Sequence, residues 1–311
     1  MIWEKLGIIY RPDIKKNKDW SKFGAMIPTP IHINNKEIRV FFSSLDKFGV
    51  ARPGYVDLCK NDLKKVKNVS KLPILEIGVG GNFDDNGIAA CSVLKRKSFF
   101  WLYYVGFEQL KKIRYRLLTG LAIGSKNNKI FKKISATPIL ERSDKENFFR
   151  CGPFVMKKNN IFCMWYVSGD KWININNKQM PVYDIKYIES KDGINWPKNG
   201  KTIIKVDNSK DEFGFGRPYV IYDKNIQKYL LFYSIRKKSL NQYRLGLAES
   251  RDCKKWIRID KKLNLTVSKK GFDSKAIMYA APFFVNNQLH LFYNGNEFGK
   301  DGFALAKLIG Y

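Results

Sequence analysis

Histidines and acidic residues are scarce in this sequence of 311 residues. It has 2 histidines, and 28 aspartates and glutamates stand against 57 lysines and arginines, which gives a formal net charge of +29. A charge of this sign favours anionic partners such as phosphates, nucleotides, acidic sugars, nucleic acid and anionic lipid headgroups. The lysines are spread along the chain, however, so the charge alone indicates a solvated basic surface rather than one docking patch.

Cysteines are few, and their spacing argues against two common kinds of site. The 5 cysteines are far apart and form no Cys-x-x-Cys pair: Cys59, Cys91, Cys151, Cys163 and Cys253. An odd number without close pairs argues against a disulfide framework and against a zinc site. No cluster of Cys, His and Asp suited to a transition metal is apparent either, so we expect no cofactor.

Long apolar runs are lacking as well. No run approaches the roughly 18 apolar residues of a membrane-spanning helix. The first residues, MIWEKLGIIYRPDIKK, have neither the apolar core nor the small-residue cleavage site of a signal peptide. We therefore expect a cytoplasmic location, which also agrees with unpaired cysteines.

Short aromatic-rich runs fill the chain instead. Hydrophobic residues make up 44% of the sequence and aromatic residues 14%, which is enough for a packed core. Residues 212–256 hold three strand-length runs, RPYVIY, KYLLFYSI and YRLGLAES, separated by polar turns. This triplet predicts an antiparallel meander, and similar triplets recur along the rest of the chain.

The triplet occurs five times at nearly regular intervals. Its third strand is centred at Val56, Ala122, Ile188, Ala248 and Ala304, in steps of 66, 66, 60 and 56 residues. Its first strand opens on a proline in four copies, aligned as Pro30, Pro153, Pro218 and Pro282, and on Cys91 in the other. A period near 60 with three to four strands is typical of a β-propeller, whereas two stacked β-sandwiches would not predict one triplet throughout.

The sequence therefore predicts an all-β fold, a five-bladed β-propeller with three to four antiparallel strands per blade. We expect a single domain over residues 1–311, with blades at roughly 20–66, 83–133, 146–198, 212–258 and 273–310.

The segments that enter the first strands should converge on one central pocket, because these strands surround the channel of a propeller. Paired carboxylates from different blades suit acid and base chemistry at a glycosidic bond. The predicted catalytic residues are Asp84, Asp85, Glu212 and Asp273. The predicted substrate-binding residues are Arg150, Arg217, Lys275 and Tyr279 in these segments and Arg52, Asp184, Arg236 and Asn294 at strand ends. For any one arginine, an ion pair with one of these acids is an equally good interpretation.

The pattern of each blade, with P-x-V, a run ending in aromatic-Tyr-Ser, and G-x-A-x-S-x-D-G-x-x-W, resembles the five-bladed propellers of glycoside hydrolase families 43, 32 and 130. More narrowly, FDDNGIAACSVL, YDIKYIESKDGINW and LFYNGNEFGKDGFALA resemble uncharacterised propellers associated with bacterial surface-polysaccharide biosynthesis. The resemblance covers essentially the whole chain. It implies a carbohydrate-active protein of cell-surface glycan synthesis.

The sequence departs from these families at their catalytic positions. Propellers like those of family 43 commonly carry an Asp-Pro pair as base and a Glu-Gly-Pro sequence as acid. The residues before the aligned prolines or their substitutes are Thr29, Ala90, Gly152, Arg217 and Ala281, and Cys151 matches the acid. The usual catalytic set is not carried over, and a basic pocket suits a nucleotide sugar, a sugar phosphate or a sugar acid.

Two functions stay open. The first is glycosyl transfer, by a transferase, phosphorylase or hydrolase, on a charged sugar or a substrate that bears a nucleotide or phosphate. The second is non-catalytic binding of a sugar or glycolipid. A nucleic-acid partner is not expected, since it would require lysines clustered on one face and a steep salt dependence. Peripheral contact with an anionic membrane stays open, and the sequence does not indicate the oligomeric state.

Overall fold

The computed structural model describes residues 1–13, 19–125, 130–240 and 242–311. The described residues form 20 β-strands, two short helices and one 3-10 turn. The non-strand elements are η1 (Asn208–Lys210), α1 (Asp260–Leu263) and α2 (Asn296–Gly299). None of the helices in the described part of the chain is long and apolar enough to cross a membrane.

Backbone pairing gathers the described strands into five antiparallel units of four. The first strand of the chain, β1 (Ile2–Tyr10), belongs to unit 5. Unit 1 contains β2 (Phe23–His32), β3 (Glu37–Leu45), β4 (Ala51–Cys59) and β5 (Asp62–Val69). Unit 2 contains β6 (Ile88–Arg96), β7 (Phe99–Gln109), β8 (Tyr115–Ser125) and β9 (Phe131–Lys133).

The remaining units follow the same plan. Unit 3 contains β10 (Phe149–Lys158), β11 (Ile161–Ile175), β12 (Lys178–Ser190) and β13 (Lys201–Ile204). Unit 4 contains β14 (Glu212–Asp223), β15 (Lys228–Lys237), β16 (Tyr243–Ser250) and β17 (Ile257–Arg258). Unit 5 contains β18 (Met278–Val285), β19 (Gln288–Asn294), β20 (Phe303–Gly310) and, outside them, β1.

The two ends of the described chain meet in unit 5. Strand β1 pairs antiparallel with β20, so that Ile2 lies opposite Gly310 and Tyr10 opposite Phe303. The outer strand of the last unit therefore comes from the N-terminus, a pairing between distant segments that the repeat spacing did not reveal.

Neighbouring units contact one another in a closed order. A bridge between Ala51 and Gly87 joins units 1 and 2, and short parallel pairings join β8 to β10 and β12 to β14. The backbone N–H of Tyr279 donates to Ser234 Oγ between units 4 and 5, and that of Ile27 donates to Asn294 Oδ1 between units 5 and 1. The first strands therefore lie around one centre.

Aromatic side chains on the second strands form much of the core. Each second strand carries two adjacent aromatic residues, all of them fully buried: Phe41 and Phe42, Tyr103 and Tyr104, Trp165 and Tyr166, Phe232 and Tyr233, and Phe292 and Tyr293. Burial of a large apolar side chain contributes about 1.5–3 kcal/mol relative to exposure. These pairs therefore stabilise the packing of the units.

Candidate functional site

Each first strand contains a β-bulge at an equivalent position. The backbone φ angle is positive at four of the five bulges, namely 57° at Ile27, 63° at Gly152, 42° at Arg217 and 55° at Tyr279. Glycine adopts this conformation readily, but a residue with a side chain does so at a cost of roughly 1–3 kcal/mol. Such strain is typical of functional sites, and here it turns the bulged residues toward the centre of the ring.

The bulges show that the sequence alignment of the first strands was wrong by two residues in units 1 and 5. Pro28, not Pro30, occupies the position of Pro153 and Pro218, and Ala280, not Pro282, does so in unit 5. A shift of two residues leaves the strand faces unchanged, which is why the alternating pattern did not expose the error. The corrected residues before these positions contain no acid, and they are Ile27, Ala90, Gly152, Arg217 and Tyr279.

The bulges surround a central cavity of about 370 Å³. All five first strands contribute to its lining, as do the starts of third strands β8, β12 and β16. Its charged and phenolic groups are Arg114, Arg217, Arg236, Tyr115, Tyr183, Tyr243 and Tyr279. Among the described residues that line this cavity, no carboxylate is found.

A second cavity of about 430 Å³ adjoins the central one. The two share Arg114, Met180, Arg236, Tyr243 and Phe298 in their linings. Glu297 is the single described carboxylate of the outer cavity, and it pairs with Lys300 at 3.2 Å. The shared part of the two linings is therefore mainly basic and aromatic.

Arg217 places a buried positive charge at the centre of the site. Its side chain is 3% exposed, and Nη2 donates to the carbonyl oxygen of Pro28 at 2.6 Å and to Thr29 Oγ1 at 2.7 Å. Nη1 donates to the carbonyl oxygen of Tyr279 at 2.7 Å, whereas Nε has no hydrogen-bond partner among the described residues. Burial lowers the pKa of Arg217 to about 10, which keeps it protonated at neutral pH. None of its hydrogen-bond partners in the described part of the chain is an anion, although a buried guanidinium is best stabilised by one.

Arg236 lies among phenol groups in the same lining. Its guanidinium carbon is 4.5 Å from the ring centre of Phe213 and 5.6 Å from that of Tyr183. Burial lowers the pKa of Arg236, but nearby phenols, Tyr243 first, raise it more, and the net shift is upward. The guanidinium is thus held positive without a carboxylate partner in the described ranges, in contact with rings that can also stack on a ligand.

Three of the four predicted catalytic carboxylates are instead engaged in buried contacts with residues of the outer strands. Asp84 Oδ2 lies 2.6 Å from Lys133 Nζ and accepts from the hydroxyl of Tyr104 at 3.0 Å. Asp273 Oδ2 lies 2.7 Å from Lys5 Nζ and accepts from the hydroxyl of Tyr293 at 3.2 Å. In both units the cation comes from the fourth strand and the tyrosine from the second.

Units 3 and 4 contain related contacts. Glu146 Oε2 lies 3.0 Å from Arg150 Nε and accepts from the hydroxyl of Tyr166 at 2.7 Å. Both oxygens of Glu212 accept from Arg258, at 2.9 and 2.5 Å. A carboxylate anchor, defined as Asp84, Glu146, Glu212 or Asp273 with its cation, therefore recurs in units 2 to 5.

Asp85 is held in a turn rather than in an anchor. Its Oδ2 accepts from the backbone N–H of Gly81 at 2.8 Å and its Oδ1 from Asn86 Nδ2 at 2.7 Å. The structure brings none of the four predicted catalytic carboxylates into the lining of the central cavity. Their catalytic role stays a prediction, and these positions do not support it.

The predicted binding residues separate into two groups. Arg217, Arg236 and Tyr279 line the central cavity together, whereas Arg150 lies in the anchor of Glu146. Arg52 pairs with Asp46 at 2.8 Å, and exposed Lys275 accepts from Arg244 through its backbone oxygen at 2.8 Å.

Two further predicted residues lie outside the central cavity. Asn294 is fully buried and joins units 5 and 1, since its Nδ2 donates to the carbonyl oxygen of Ala25 at 2.8 Å. Asp184 lines a different pocket on the outer face of β12.

Sequence reasoning missed several residues of the cavity lining. Tyr115 and Tyr243 begin the third strands of units 2 and 4, and each opens the same triplet, Tyr-Arg-Leu. This repeated triplet was a signal that could have pointed to both. Tyr183, Arg114 and Phe298 carry no comparable pattern. In the described part of the chain, no group of three or more His, Cys, Asp or Glu side chains is arranged to hold a metal ion.

Comparisons with known proteins place the chain in a family and identify the fold. No family model matches the sequence. The uncharacterized protein Rv1502 of Mycobacterium tuberculosis is 30% identical over 310 residues, which cover 99% of each chain. The chain belongs to the family of this protein.

Solved structures resemble the chain at lower identity. A thermostable family-43 glycoside hydrolase has a TM-score of 0.67 at 15% identity, over 93% of this chain and 90% of its own. The BT0996 RGII complex has a TM-score of 0.73 at 15% identity, over 98% and 91%. The fold of this family member is therefore an all-β propeller, and the predicted fold class is confirmed.

Proposed function

We propose that the protein is a carbohydrate-active propeller that binds a charged sugar, bearing a phosphate, nucleotide or carboxylate group, in its central cavity. The observation that carries this proposal is the buried charge of Arg217, a residue of the cavity lining whose guanidinium has no carboxylate partner among the described residues. The sugar class is supported by the fold shared with a family-43 glycoside hydrolase and with the RGII complex. We further propose that the protein is cytoplasmic and acts in cell-surface polysaccharide biosynthesis. We also propose that it is a single domain of five blades with the boundaries given above.

Glycosyl transfer from a phosphate-linked sugar suits this lining better than hydrolysis between neutral sugars. Hydrolysis needs a carboxylic acid to protonate the leaving oxygen and a second carboxylate across the bond. A phosphate leaves as an anion and needs no such acid, while guanidinium groups stabilise the charge that develops on it. Arg217 and Arg236 are placed for this task in a cavity whose described lining contains no carboxylate.

A second candidate is binding of the same sugar without catalysis. One observation favours it: Asp84, Glu212 and Asp273 are engaged by Lys133, Arg258 and Lys5 and lie outside the cavity lining. A propeller whose acids serve only its folding could still present Arg217 and Arg236 to an anionic ligand. The two candidates share the binding step and differ in turnover.

The test measures binding and turnover separately. Isothermal titration with sugar 1-phosphates, nucleotide sugars and their neutral parent sugars should show binding of the phosphate-bearing compounds alone. Arg217→Gln should weaken that binding about a hundredfold, because a charge-assisted contact is lost. Arg52→Gln should retain it, because Arg52 pairs with Asp46 outside the cavity. Release of phosphate or nucleotide by the wild type with a glycan acceptor would support transfer, and binding without release would support the second candidate. Binding of neutral sugars with equal affinity would contradict both.

A further inference from the structure

A second polar pocket lies on the face of β12 opposite to the one that lines the central cavity. Successive residues of a strand point to opposite faces. Tyr183 lines the central cavity, while its neighbours Val182 and Asp184 line the second pocket, together with Lys186. The second pocket has a volume of about 660 Å³. We call it the lysine pocket, for the five lysines in its lining: Lys145, Lys171, Lys186, Lys205 and Lys238.

The lysines of this pocket come from separate segments. Lys171 lies on β11 and Lys186 on β12, while Lys145 precedes β10, Lys205 follows β13 and Lys238 follows β15. Two aspartates, Asp170 and Asp184, share the lining. Lys186 also lies 3.5 Å from the buried carboxylate of Glu146. Five lysines against Asp170, Asp184 and Glu146 leave an excess of two positive charges at a concave surface, where a ligand is attracted more strongly than by lysines on open surface.

The lining also contains a buried hydroxyl with no partner. Ser168 is 3% exposed, and its Oγ makes no hydrogen bond to any residue that the structure describes. A buried hydroxyl without a partner costs free energy, and a ligand that accepts a hydrogen bond from Ser168 Oγ would remove this cost. Ser168 lies opposite Asp184 in the pairing of β11 with β12.

Gly169 and Asp184 also fit a built pocket. A side chain at Gly169 would collide with the carbonyl oxygen of Val182, so this glycine allows β11 and β12 to approach beside Ser168. Asp184 Oδ1 accepts from the backbone N–H of Val206 at 2.8 Å, which fixes the carboxyl in the lining. Burial raises the pKa of Asp184 although Lys205 and Lys186 oppose the shift, so this group gives up its charge more readily than an exposed aspartate.

We propose that the lysine pocket is a second binding site, specific for a multiply charged phosphate group and independent of the central cavity. Lysines act as point charges toward phosphate, and the hydroxyls of Ser168 and Thr202 can donate to its remaining oxygens. With Asp170, Asp184 and Glu146 set against the five lysines, a multiply charged phosphate neutralises the remaining positive charge, whereas a singly charged carboxylate does not. The phosphate is carried either by a free anion such as pyrophosphate or by a phosphorylated sugar.

The test is isothermal titration with inorganic pyrophosphate at physiological ionic strength. In the Arg217→Gln protein, pyrophosphate binding should remain, and adding Lys171→Ala with Lys205→Ala should weaken it roughly tenfold or more. The matched control is Lys64→Ala with Lys65→Ala, which removes the same charge from exposed positions on β5 and should change affinity less than about twofold. Ser168→Ala should weaken binding by a smaller factor, because it removes one neutral hydrogen-bond donor and no charge. Its stability should stay near that of the wild type, because Ser168 Oγ has no hydrogen-bond partner within the described part of the protein.

Wild-type stoichiometry provides an independent measurement if Arg217→Gln does not fold. The wild type should then bind one more pyrophosphate than the protein with both Lys171→Ala and Lys205→Ala. Absence of any difference in stoichiometry or affinity, or an equal loss in the Lys64 and Lys65 control, would overturn the proposal. Titration with a sugar 1-phosphate distinguishes the sources, since tighter binding than that of orthophosphate assigns a phosphorylated sugar and equal binding assigns a free anion.

Discussion

The buried charges of Glu146 and Arg217 have opposite surroundings. Glu146 is fully buried, and it contacts Arg150 at 3.0 Å, the hydroxyl of Tyr166 at 2.7 Å and the backbone N–H of Gly200 at 2.7 Å. Arg217 is almost as buried, but its partners are two carbonyl oxygens and the hydroxyl of Thr29. The charge of Glu146 is balanced by a cation, whereas that of Arg217, in the lining of the cavity, has no carboxylate partner among the described residues.

Recurrence separates the two kinds of residue. A buried carboxylate bound to a cation occurs in units 2 to 5, and the tyrosine that bonds it lies 20 residues later in the cases of Asp84, Glu146 and Asp273. Because this contact recurs in four units, we infer that it stabilises the fold that the units share. Arg217 stands at one bulge, and the equivalent positions of the other units are Ile27, Ala90, Gly152 and Tyr279. The irregular position is therefore the better candidate for function.

Glu146→Gln should have the largest effect on stability. The substitution leaves the guanidinium of Arg150, which is 2% exposed, without its anion. Loss of one member of a buried ion pair costs about 3–5 kcal/mol. Urea denaturation should show this loss in the free energy of unfolding, and Glu4→Gln, at an exposed position of β1, should be nearly neutral. Equal stability of the two variants would mean that the anchor of unit 3 contributes little to folding.

Arg217→Met should lower ligand affinity strongly and stability little, the opposite of what we expect for Glu146→Gln. Replacement of an unpaired buried cation by an apolar side chain of similar length removes a desolvation penalty, which offsets the lost hydrogen bonds, so the free energy of unfolding should change by roughly 1 kcal/mol at most. The affinity for a sugar 1-phosphate should fall about a hundredfold, because a charge-assisted contact to the ligand is lost.

Denaturation and titration of the same Arg217→Met preparation check both expectations. Glu146→Gln, studied under conditions where it stays folded, serves as the control and should retain affinity. A large loss of stability with unchanged affinity would make Arg217 a folding residue, and the contrast with Glu146 would disappear.

The repeat and the fold could be predicted because they depend on local patterns. Strand-length aromatic runs at a nearly constant spacing are visible in the sequence, and their burial follows from their composition. Arg217 and Tyr279 were also found, since the segments that enter first strands are defined by the repeat. The alignment at Ile27 was missed because a shift of two residues preserves strand alternation.

The anchors could not be predicted because their cations are distant in sequence. Lys5 is 268 residues from Asp273, and the contact exists only because β1 joins unit 5. Nothing in the sequence near Asp84 or Glu212 indicates that Lys133 or Arg258 will lie beside it. A carboxylate at the entrance of a strand therefore looks the same whether it serves chemistry or folding.

Asp84→Asn should lower stability without lowering affinity. The substitution removes the anion next to Lys133 and weakens the hydrogen bond from Tyr104, at a cost of about 2 kcal/mol. Since Asp84 lies outside the cavity lining, titration with a sugar 1-phosphate should match the wild type. Lys133→Met, which removes the other partner, should lower stability in the same way. Unchanged stability together with lost turnover would return Asp84 to the catalytic role predicted from the sequence.

Asp85→Asn should have the smallest effect. Asp85 is half-buried, and asparagine can still accept from the backbone N–H of Gly81 while it loses the charge, so the free energy of unfolding should change by roughly 0.5 kcal/mol or less. Affinity and any turnover should equal those of the wild type, because the side chain lies in a turn outside the cavity lining. Asp85 was predicted to be catalytic on the same grounds as Asp84, yet no cation among the described residues pairs with it. A turnover rate that collapses in a fully stable Asp85→Asn protein would therefore show that a carboxylate outside the anchors carries the chemistry.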